Sequence, residues 1–599
     1  MSKTSRAWAV FAIVVIAATL RFWNIDWGLP HPYHPDEGSL LVHALGFGTG
    51  DLNPHWFRWP SLLMYVVFGL YGFYFLIGKV FGFLGAPVDL VRQFLTDVSP
   101  FWLIGRAVSA VAGVLTVGMT WRFGRKAFGD FAGLAAALFM AVVYLHVRDS
   151  HYATPDVAAT FFVTVSMLTA LEAAHSGRGR MLVLSGLFAG LAASTKYPAV
   201  LAGAGTIAAA VYLAVTARRA AWPLLGAIAA GAAGFAIGTP FSVLSWNEFT
   251  RDIATQVFMV SRSGVAQTPM SFSEGMSELF GGTLGRGVGY PILILAALGL
   301  LSSFGRDRDP MRRPGEIAPE QSGAAVAGSV LLAFLAFAMF LTVKRSTYMT
   351  PALPALAVLA GLGLRRVFQL IEPSHQRRFG FPRAVVLIAL AVLTALPTVG
   401  FVRSIGMPDT RTAAKHWIEN EIEPGTAIAI ETYGPPIYAM TSQVEAELEL
   451  DTTNVETWAE TKQGLRSVQL EVASKRVPQY RVYSIGWGGE PNRLPAASSD
   501  PEALVDELLE RQVRYVVLSS KAEPNRVMDG AEPPTSPGAM PFADWLRRNA
   551  LLAKRFTGAK SLPPIDRGPG RSFHDPVIEI YDLKAVKVRG GLADIEVTS

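Results

Sequence analysis

Residues 62–84, LLMYVVFGLYGFYFLIGKVFGFL, are the stretch on which the topology turns. A helix rises about 1.5 Å per residue and the hydrocarbon core of a bilayer is about 30 Å thick, so this run is long and apolar enough to cross. Eleven further apolar segments lie at 7–22, 103–121, 131–147, 157–173, 181–194, 198–216, 222–239, 289–303, 323–343, 351–364 and 384–402. Their connections alternate between rich and poor in Arg and Lys. Arg122 to Lys126, Arg178 and Arg180, Arg218 and Arg219, Arg306 to Arg313, and Arg365 to Arg383 fall on every second one. The positive-inside rule puts those connections in the cytoplasm, with Lys3 and Arg6. Counting 62–84 as a crossing would export every one of these clusters. The segment is therefore read as a juxtamembrane or re-entrant excursion inside a first outer loop of about 23–100, with 88–98 as a second amphipathic piece. A true span offset by a missed one nearby is the alternative.

Composition agrees with this class. Of 599 residues, 51% are hydrophobic and only 17% charged, more apolar side chain than a soluble core hides. The chain is expected to be a polytopic α-helical membrane protein with about eleven transmembrane helices over residues 1–404. A C-terminal soluble α/β domain over 405–599 is expected to follow. There acids outnumber bases, no long apolar run remains, and helical patterns at 410–420 and 501–511 alternate with strand patterns at 426–431, 513–518 and 577–581. Residues 523–541, rich in Pro and Gly, read as a loop. The net charge of +6 is an orientation signal, not a nucleic-acid footprint. With no cysteine, disulfides and thiolate metal sites are excluded. Arg21-Phe22-Trp23-Asn24 after the first apolar run is no signal-peptidase site, so that run reads as a retained helix.

The outer face then collects the chemistry. It receives His34-Pro35-Asp36-Glu37, Arg148 to Asp156, Lys196, the stretch 240–287, Lys344 to Tyr348 and the C-terminal domain. Each group has a plainer reading beside the functional one. Adjacent Asp and Glu make solvated turns and helix caps, and Asp156 after Pro155 suits a helix N-terminus. Lys196 can snorkel, Lys344 and Arg345 can anchor at the interface, and Tyr348 can belong to an aromatic belt. His31, His34, His43 and His55 in the first outer loop, with His151 in the second, could join carboxylates around a divalent cation. No nucleotide-binding glycine loop or catalytic triad is present in the sequence.

Five outer-face motifs occur in order: Asp36-Glu37, Trp59-Pro60-Ser61-Leu62-Leu63, Arg106, Arg148 to Asp156, and Ser194-Thr195-Lys196-Tyr197-Pro198. Lys344-Arg345-Ser346-Thr347-Tyr348-Met349-Thr350-Pro351 adds a sixth. In this order they resemble the GT-C superfamily of integral-membrane glycosyltransferases, in particular the branch of protein O-mannosyltransferases and aminoarabinose transferases. The spacing from Arg148 to Asp156 is longer than the compact pattern of the mannosyltransferases. The resemblance implies transfer of a sugar from a polyprenyl-phosphate carrier to a lipid, glycan or protein acceptor. It implies a plasma (inner) membrane protein whose C-terminal domain is extracytoplasmic. Asp36 is then the expected base, with Glu37 and Asp156 as further catalytic candidates. Arg106, Arg148, Lys196, Lys344, Arg345 and Tyr348 would face the donor phosphate, and His34, Arg58, His151 and Tyr197 the acceptor or cavity. One displacement at the anomeric carbon implies inversion. No cofactor is required by this reading, though some relatives bind a divalent cation. A transporter or lipid flippase is the rival from another class; against it, the charges gather on one face and no inverted repeat is evident. A noncatalytic scaffold would have little need of Asp36-Glu37.

Overall fold

The structure is a computed structural model. It describes residues 2–217, 222–261, 271–303, 319–341, 345–371, 380–451, 459–485, 492–494, 501–521, 542–558, 574–588 and 591–592. Lys344, the expected loop at 523–541 and the clusters at 218–219 and 306–313 lie outside the described residues.

The helices follow the apolar segments. They are α1 (Lys3–Phe22), α2 (Pro35–Gly46), α3 (Leu62–Phe81), α4 (Pro87–Thr96), α5 (Ser99–Phe128), α6 (Asp130–Val142), α7 (Tyr144–Asp149), α8 (Pro155–Ser176), α9 (Gly179–Ala193), α10 (Gly203–Ala217) and α11 (Trp222–Gly238). Next come α12 (Phe241–Leu244), α13 (Trp246–Ser261), α14 (Phe272–Ser277), α15 (Tyr290–Ser302), α16 (Pro319–Phe340), α17 (Leu353–Ile371) and α18 (Gly380–Ile405). Eight helices among the described residues are long and apolar enough to cross a membrane, or nine if one sharply bent pair is a single span. The chain is an integral, multi-pass membrane protein. Helices form in each of the eleven expected crossings, but five of them (α6, α9, α10, α11 and α15) are only 13–17 residues long, and of these only α10 reaches span length, through the 3-10 turn Tyr197–Ala202 before it, so the expected count of eleven full spans is not reached by length alone. α3 is among the eight.

Ion pairs label the two ends of the bundle. At one end Arg6 meets Asp130, Lys126 meets Glu172, and Arg365 and Arg366 share Glu320. At the other lie Glu37 with Arg106 and Asp156 with Lys196. Among the described residues, Arg6, Lys126, Arg365 and Arg366 thus gather at one end and the Glu37 and Asp156 pairs at the other. α3 begins at this second end, where Leu62 N donates to Ser194 O and Ser61 Oγ to Gly238 O. Tyr71, in the middle of the helix, donates to Phe101 O in the first turn of α5, and Tyr74 bonds Gln93 of α4, whose Arg92 reaches Glu471 of the C-terminal domain. The start of α3 thus lies at this second end of the bundle, and its middle is tied to α4 and to the first turn of α5.

Beyond α18 come α19 (Thr410–Glu421), α20 (Thr441–Asp451), α21 (Ala459–Ser474), α22 (Pro501–Glu510) and α23 (Phe542–Asn549). They surround strands β1 (Ala427–Glu431), β2 (Tyr438–Ala439), β3 (Gln479–Ile485), β4 (Arg493–Leu494), β5 (Tyr515–Ser519), β6 (Leu551–Phe556) and β7 (Ile578–Asp582). The order β2-β3-β1-β5-β7-β6 is parallel through β5 and antiparallel beyond, with β4 beside β3. β1 and β5 are buried along their whole length, as both faces of a covered parallel strand must be. The chain passes from β1 to β3 on one side and returns past β1 to β5 on the other. The carboxyl ends of β1 and β5 therefore flank a topological switch point, where open α/β sheets bind ligands.

Helices in lipid approach closely only through small residues. At Gly190 an added Cβ would sit 2.0 Å from Gly231 O of α11, and at Gly363 1.9 Å from Leu295 O of α15. Because the obstacle is backbone in both cases, the helices themselves must separate. Gly190→Ala is expected to cost about 1–3 kcal/mol, read as a lowered thermal-melt midpoint of the purified protein.

Candidate functional site at the outer end

α2 brings the two adjacent acids to the site. His34 caps it, its Nδ1 accepting from Asp36 N at 3.3 Å, and Pro35 occupies the first helical position, where its missing N–H costs nothing. Asp36 and Glu37 follow in the first turn, where a carboxylate complements the helix dipole. Neighbours in sequence point about 100° apart on a helix, so the two meet different surroundings.

Glu37 points into the bundle and is fully buried. Its oxygens take Arg106 Nε and Nη2 at 2.8 and 2.9 Å, and Oε1 also accepts Ala153 N at 2.9 Å. Arg106 Nη1 donates to Ile25 O and Trp27 O at 2.9 and 2.8 Å, and its guanidinium stacks on the Trp27 ring. A buried ion pair needs this degree of hydrogen bonding to offset its desolvation. Four of the five Arg106 N–H groups and both Glu37 oxygens are thus engaged within the bundle.

Asp36 points the other way. Its half-buried carboxylate accepts no hydrogen bond and makes no ion pair among the described residues. Arg345, Asp156, Lys196 and Lys521 all act on it electrostatically. Burial raises its pKa above the ordinary carboxylate value; Arg345 opposes that rise and Asp156 adds to it. Such a carboxylate is a stronger base than one in water. Asp156, in the first turn of α8, is ion-paired to Lys196, whose ammonium also lies 5.3 Å from the centre of the Tyr348 ring. Arg345 is exposed; its carbonyl accepts from Tyr348 N at 3.1 Å, and its side chain makes no hydrogen bond or ion pair among the described residues.

The other expected residues divide. His34 is buried and packs its ring 4.3 Å from that of Tyr152. Arg148 is held by Asp149 and by Ser346 at 2.9 Å, and Asp149 accepts from Thr350 at 2.7 Å, so this pair fastens the 345–352 segment beside the site. His151 is buried with its ring nitrogens 2.9 and 3.1 Å from Val147 O and Trp23 O. Tyr197 donates to Phe57 O at 2.8 Å and so positions Arg58, which is half-buried with no hydrogen bond among the described residues. The five histidines do not converge, and among the described residues no group of three or more His, Asp or Glu side chains is arranged to hold a metal ion. The Lys196 ammonium already occupies the Asp156 carboxylate that a divalent cation would need.

Two residues of the C-terminal domain were not anticipated. Tyr433 and Lys521 follow β1 and β5 at the switch point, and both interact electrostatically with Asp36 and Arg345. One signal marks the first: Tyr433 adopts φ 65°, a left-handed conformation uncommon for a side-chain-bearing residue. Predicting either position needs the strand order, which the sequence does not supply. The domain is anchored here by Tyr33–Thr412 at 2.6 Å, by Arg411 3.8 Å over the Tyr33 ring, and by His574, which bonds Tyr152 at 2.8 Å beside Trp27.

Residues 101–246 match the family model described as dolichyl-phosphate-mannose-protein mannosyltransferase. No curated protein matches the chain. Among solved structures, ArnT from Cupriavidus metallidurans in the apo state is 15% identical over 98% of this chain and 100% of its own, with a TM-score of 0.46. The same protein bound to undecaprenyl phosphate is 15% identical over 97% and 98%, with a TM-score of 0.45. The Archaeoglobus fulgidus oligosaccharyltransferase is 13% identical over 87% of this chain and 70% of its own, with a TM-score of 0.45. The segment matched by the family model contains Arg106, Asp156 and Lys196.

The adjacent acids give opposite stability outcomes. Glu37→Gln leaves the Arg106 cation uncompensated and is expected to cost about 3–5 kcal/mol, whereas Asp36→Asn, which breaks no hydrogen bond, is expected to leave the thermal-melt midpoint near that of the parent.

Proposed function

We propose that this protein is a membrane glycosyltransferase that moves a sugar from a polyprenyl-phosphate donor to a lipid, glycan or protein acceptor at the extracytoplasmic end of the bundle, with inversion. The observation that carries this reading is the Asp36 carboxylate. It is half-buried, accepts no hydrogen bond among the described residues, and stands among the cations Arg345, Lys196 and Lys521. The family model matched by 101–246, whose printed name includes dolichyl phosphate and mannose, supports a lipid-phosphate donor.

In this mechanism Asp36 takes the proton from an acceptor hydroxyl as its oxygen attacks the anomeric carbon. The carbon–oxygen bond to the phosphate breaks on the opposite side, and the electron pair leaves with the lipid phosphate. One attack from one face inverts the anomeric centre. The departing phosphate gains negative charge, so cations aimed at it stabilise the transition state more than the ground state. Arg345 is the cation best placed for this, with Lys196 held by Asp156 at the margin. Tyr348 lies against Lys196, and Arg58 with Tyr197 borders the same outer end. Glu37 and Arg106 act as a positioning pair that fixes α2, and through it Asp36. The C-terminal domain covers the site from outside, in the plasma (inner) membrane orientation that the arginine pattern supports.

Purified protein in lipid nanodiscs, supplied with polyprenyl-phosphate sugars and envelope acceptors, tests the reading. Asp36→Asn is expected to lower kcat by about 10²–10⁴-fold while donor binding persists. Undiminished turnover would remove Asp36 from the base role; donor left intact while substrate crosses the membrane would establish a transporter. Because burial raises the Asp36 pKa, kcat/KM is expected to fall on the acid side at a pH above the ordinary carboxylate range, in a profile measured from pH 4 to 8.

A further inference from the structure

Asp36 shares its face of α2 with a second polar ring. Residues 36 and 43 stand seven apart, which on a helix of 3.6 residues per turn leaves them within about 20° of one another and about 10 Å apart along the axis. Both are half-buried, as is Ser39 between them, while Glu37, Leu40, Leu41 and Ala44 form the buried face. His43 Nδ1 lies 2.6 Å from Ser39 O and donates to it, which leaves Nε2 as the acceptor. Burial lowers the His43 pKa, so the ring is neutral and keeps that lone pair.

The Trp56 ring stacks on His43, with centroids 4.7 Å apart and planes at 23°, and Trp59 meets Trp56 edge-on at 5.5 Å. Both indoles rest on the core of α2, α3 and α5 without being enclosed by it. The chain that carries them is fixed. Phe57 is fully buried against Phe249 of α13, its N donates to Asp252 at 2.8 Å, and its O accepts from Tyr197 at 2.8 Å. On the near side His55 bridges Asp51 and Glu248 at 2.9 and 3.0 Å. Residues 56–59 are thus held between α2, which carries Asp36, and Tyr197, whose neighbour Lys196 pairs with Asp156.

Four polar groups surround these rings. Trp56 Nε1, Trp59 Nε1, the Arg58 guanidinium and His43 Nε2 make no hydrogen bond among the described residues. An acyl chain would use none of them. A sugar ring uses both features, because its C–H face is apolar and packs flat on an indole while its hydroxyls project from the rim to give and take hydrogen bonds. A wall already rigid loses little freedom when such a ring is seated.

We propose that His43, Trp56, Arg58 and Trp59 form a subsite for a sugar ring of the acceptor, so that the acceptor is a glycan or a glycolipid. This rests on the transferase reading above. The subsite stands about two helical turns from Asp36, so the hydroxyl that meets the base belongs to a neighbouring unit of the same acceptor.

Saturation-transfer NMR on the full-length protein in nanodiscs, irradiating aromatic protons, tests this without requiring turnover. The probes are methyl and octyl glycosides of mannose, glucose and galactose, with octanol and a Ser/Thr peptide as sugar-free probes. Saturation is expected to reach the sugar ring protons; tighter binding of the octyl series marks a glycolipid, and equal binding a free glycan. Trp56→Leu, which keeps apolar bulk and removes the aromatic face, is expected to weaken binding by about 10–100-fold. Arg58→Gln, which breaks no hydrogen bond among the described residues, is expected to weaken it by about 2–10-fold with an unchanged melting midpoint. Asp36→Asn is expected to bind like the parent. In turnover assays Trp56→Leu is expected to raise the acceptor KM and leave the donor KM unchanged, a split that general loss of structure would not give. The proposal is overturned if the parent binds no glycoside, if Trp56→Leu binds like the parent, if octanol binds as tightly as the octyl glycosides, or if the peptide displaces them. Glycoside binding that Trp56→Leu abolishes, in a parent that consumes no polyprenyl-phosphate sugar, leaves the sugar subsite standing and removes the transferase reading.

Discussion

The Glu37–Arg106 ion pair is the constraint on which the outer end is built. Arg106 sits within a helix at the membrane boundary, where an unpaired guanidinium is too costly to persist. Glu37 supplies the compensating charge from the first outer loop, the carbonyls of Ile25 and Trp27 use another guanidinium nitrogen, and Ala153 N closes the arrangement from the second outer loop. Three separate stretches of chain thus converge on one buried point. Because Glu37 cannot rotate away without exposing that charge, the helical phase of α2 is fixed. That phase sends its neighbour Asp36 into the space between bundle and sheet.

The adjacent acids consequently divide one requirement in two. A base needs a carboxylate that is partly dehydrated but not already hydrogen-bonded, and such a group destabilises the structure that holds it. The fully satisfied carboxylate one residue along offsets this by locking the backbone. Asp156 shows a third solution, a carboxylate neutralised by a lysine ammonium at the edge of the same site. The C-terminal domain completes the environment. Its aromatic contact of His574 with Trp27 and Tyr152 lies against the wall that carries His34, and so against the cap of α2. Covering the outer end in this way lowers the local dielectric, which strengthens every charge interaction inside it.

The apolar runs were legible as helices because burial in lipid needs long unbroken apolar stretches, and Arg6, Lys126, Arg365 and Arg366 do gather at one end of the bundle. Strand positions in the C-terminal domain were legible for the same reason: β1 and β5 are short continuous apolar runs. Helix length was less legible, since α6, α9, α11 and α15 end sooner than an apolar count suggests. Within the site, Asp36 and Asp156 were found as acids beside prolines. Which of two adjacent acids is paired is a matter of helical phase and of Arg106 reaching back 69 residues, and no local pattern carries that. The surroundings of His151 were illegible for a related reason. Its sequence neighbours are functional candidates, while its ring lies between backbone carbonyls brought from the ends of two other elements.

The position of Lys521 follows from the strand order of the C-terminal sheet more than from any motif. The passage from β1 to β3, followed by a return past β1 to β5, leaves the carboxyl ends of β1 and β5 open to the same crevice. Residues that follow those strands emerge there, and the hydrogen bond of His574 to Tyr152 ties the neighbouring chain to the bundle. A cation on this edge does not depend on the loops of the membrane bundle for its position. The spacing between bundle and sheet is then a matter of how the two parts pack, with Tyr33, Arg411 and His574 holding the distance.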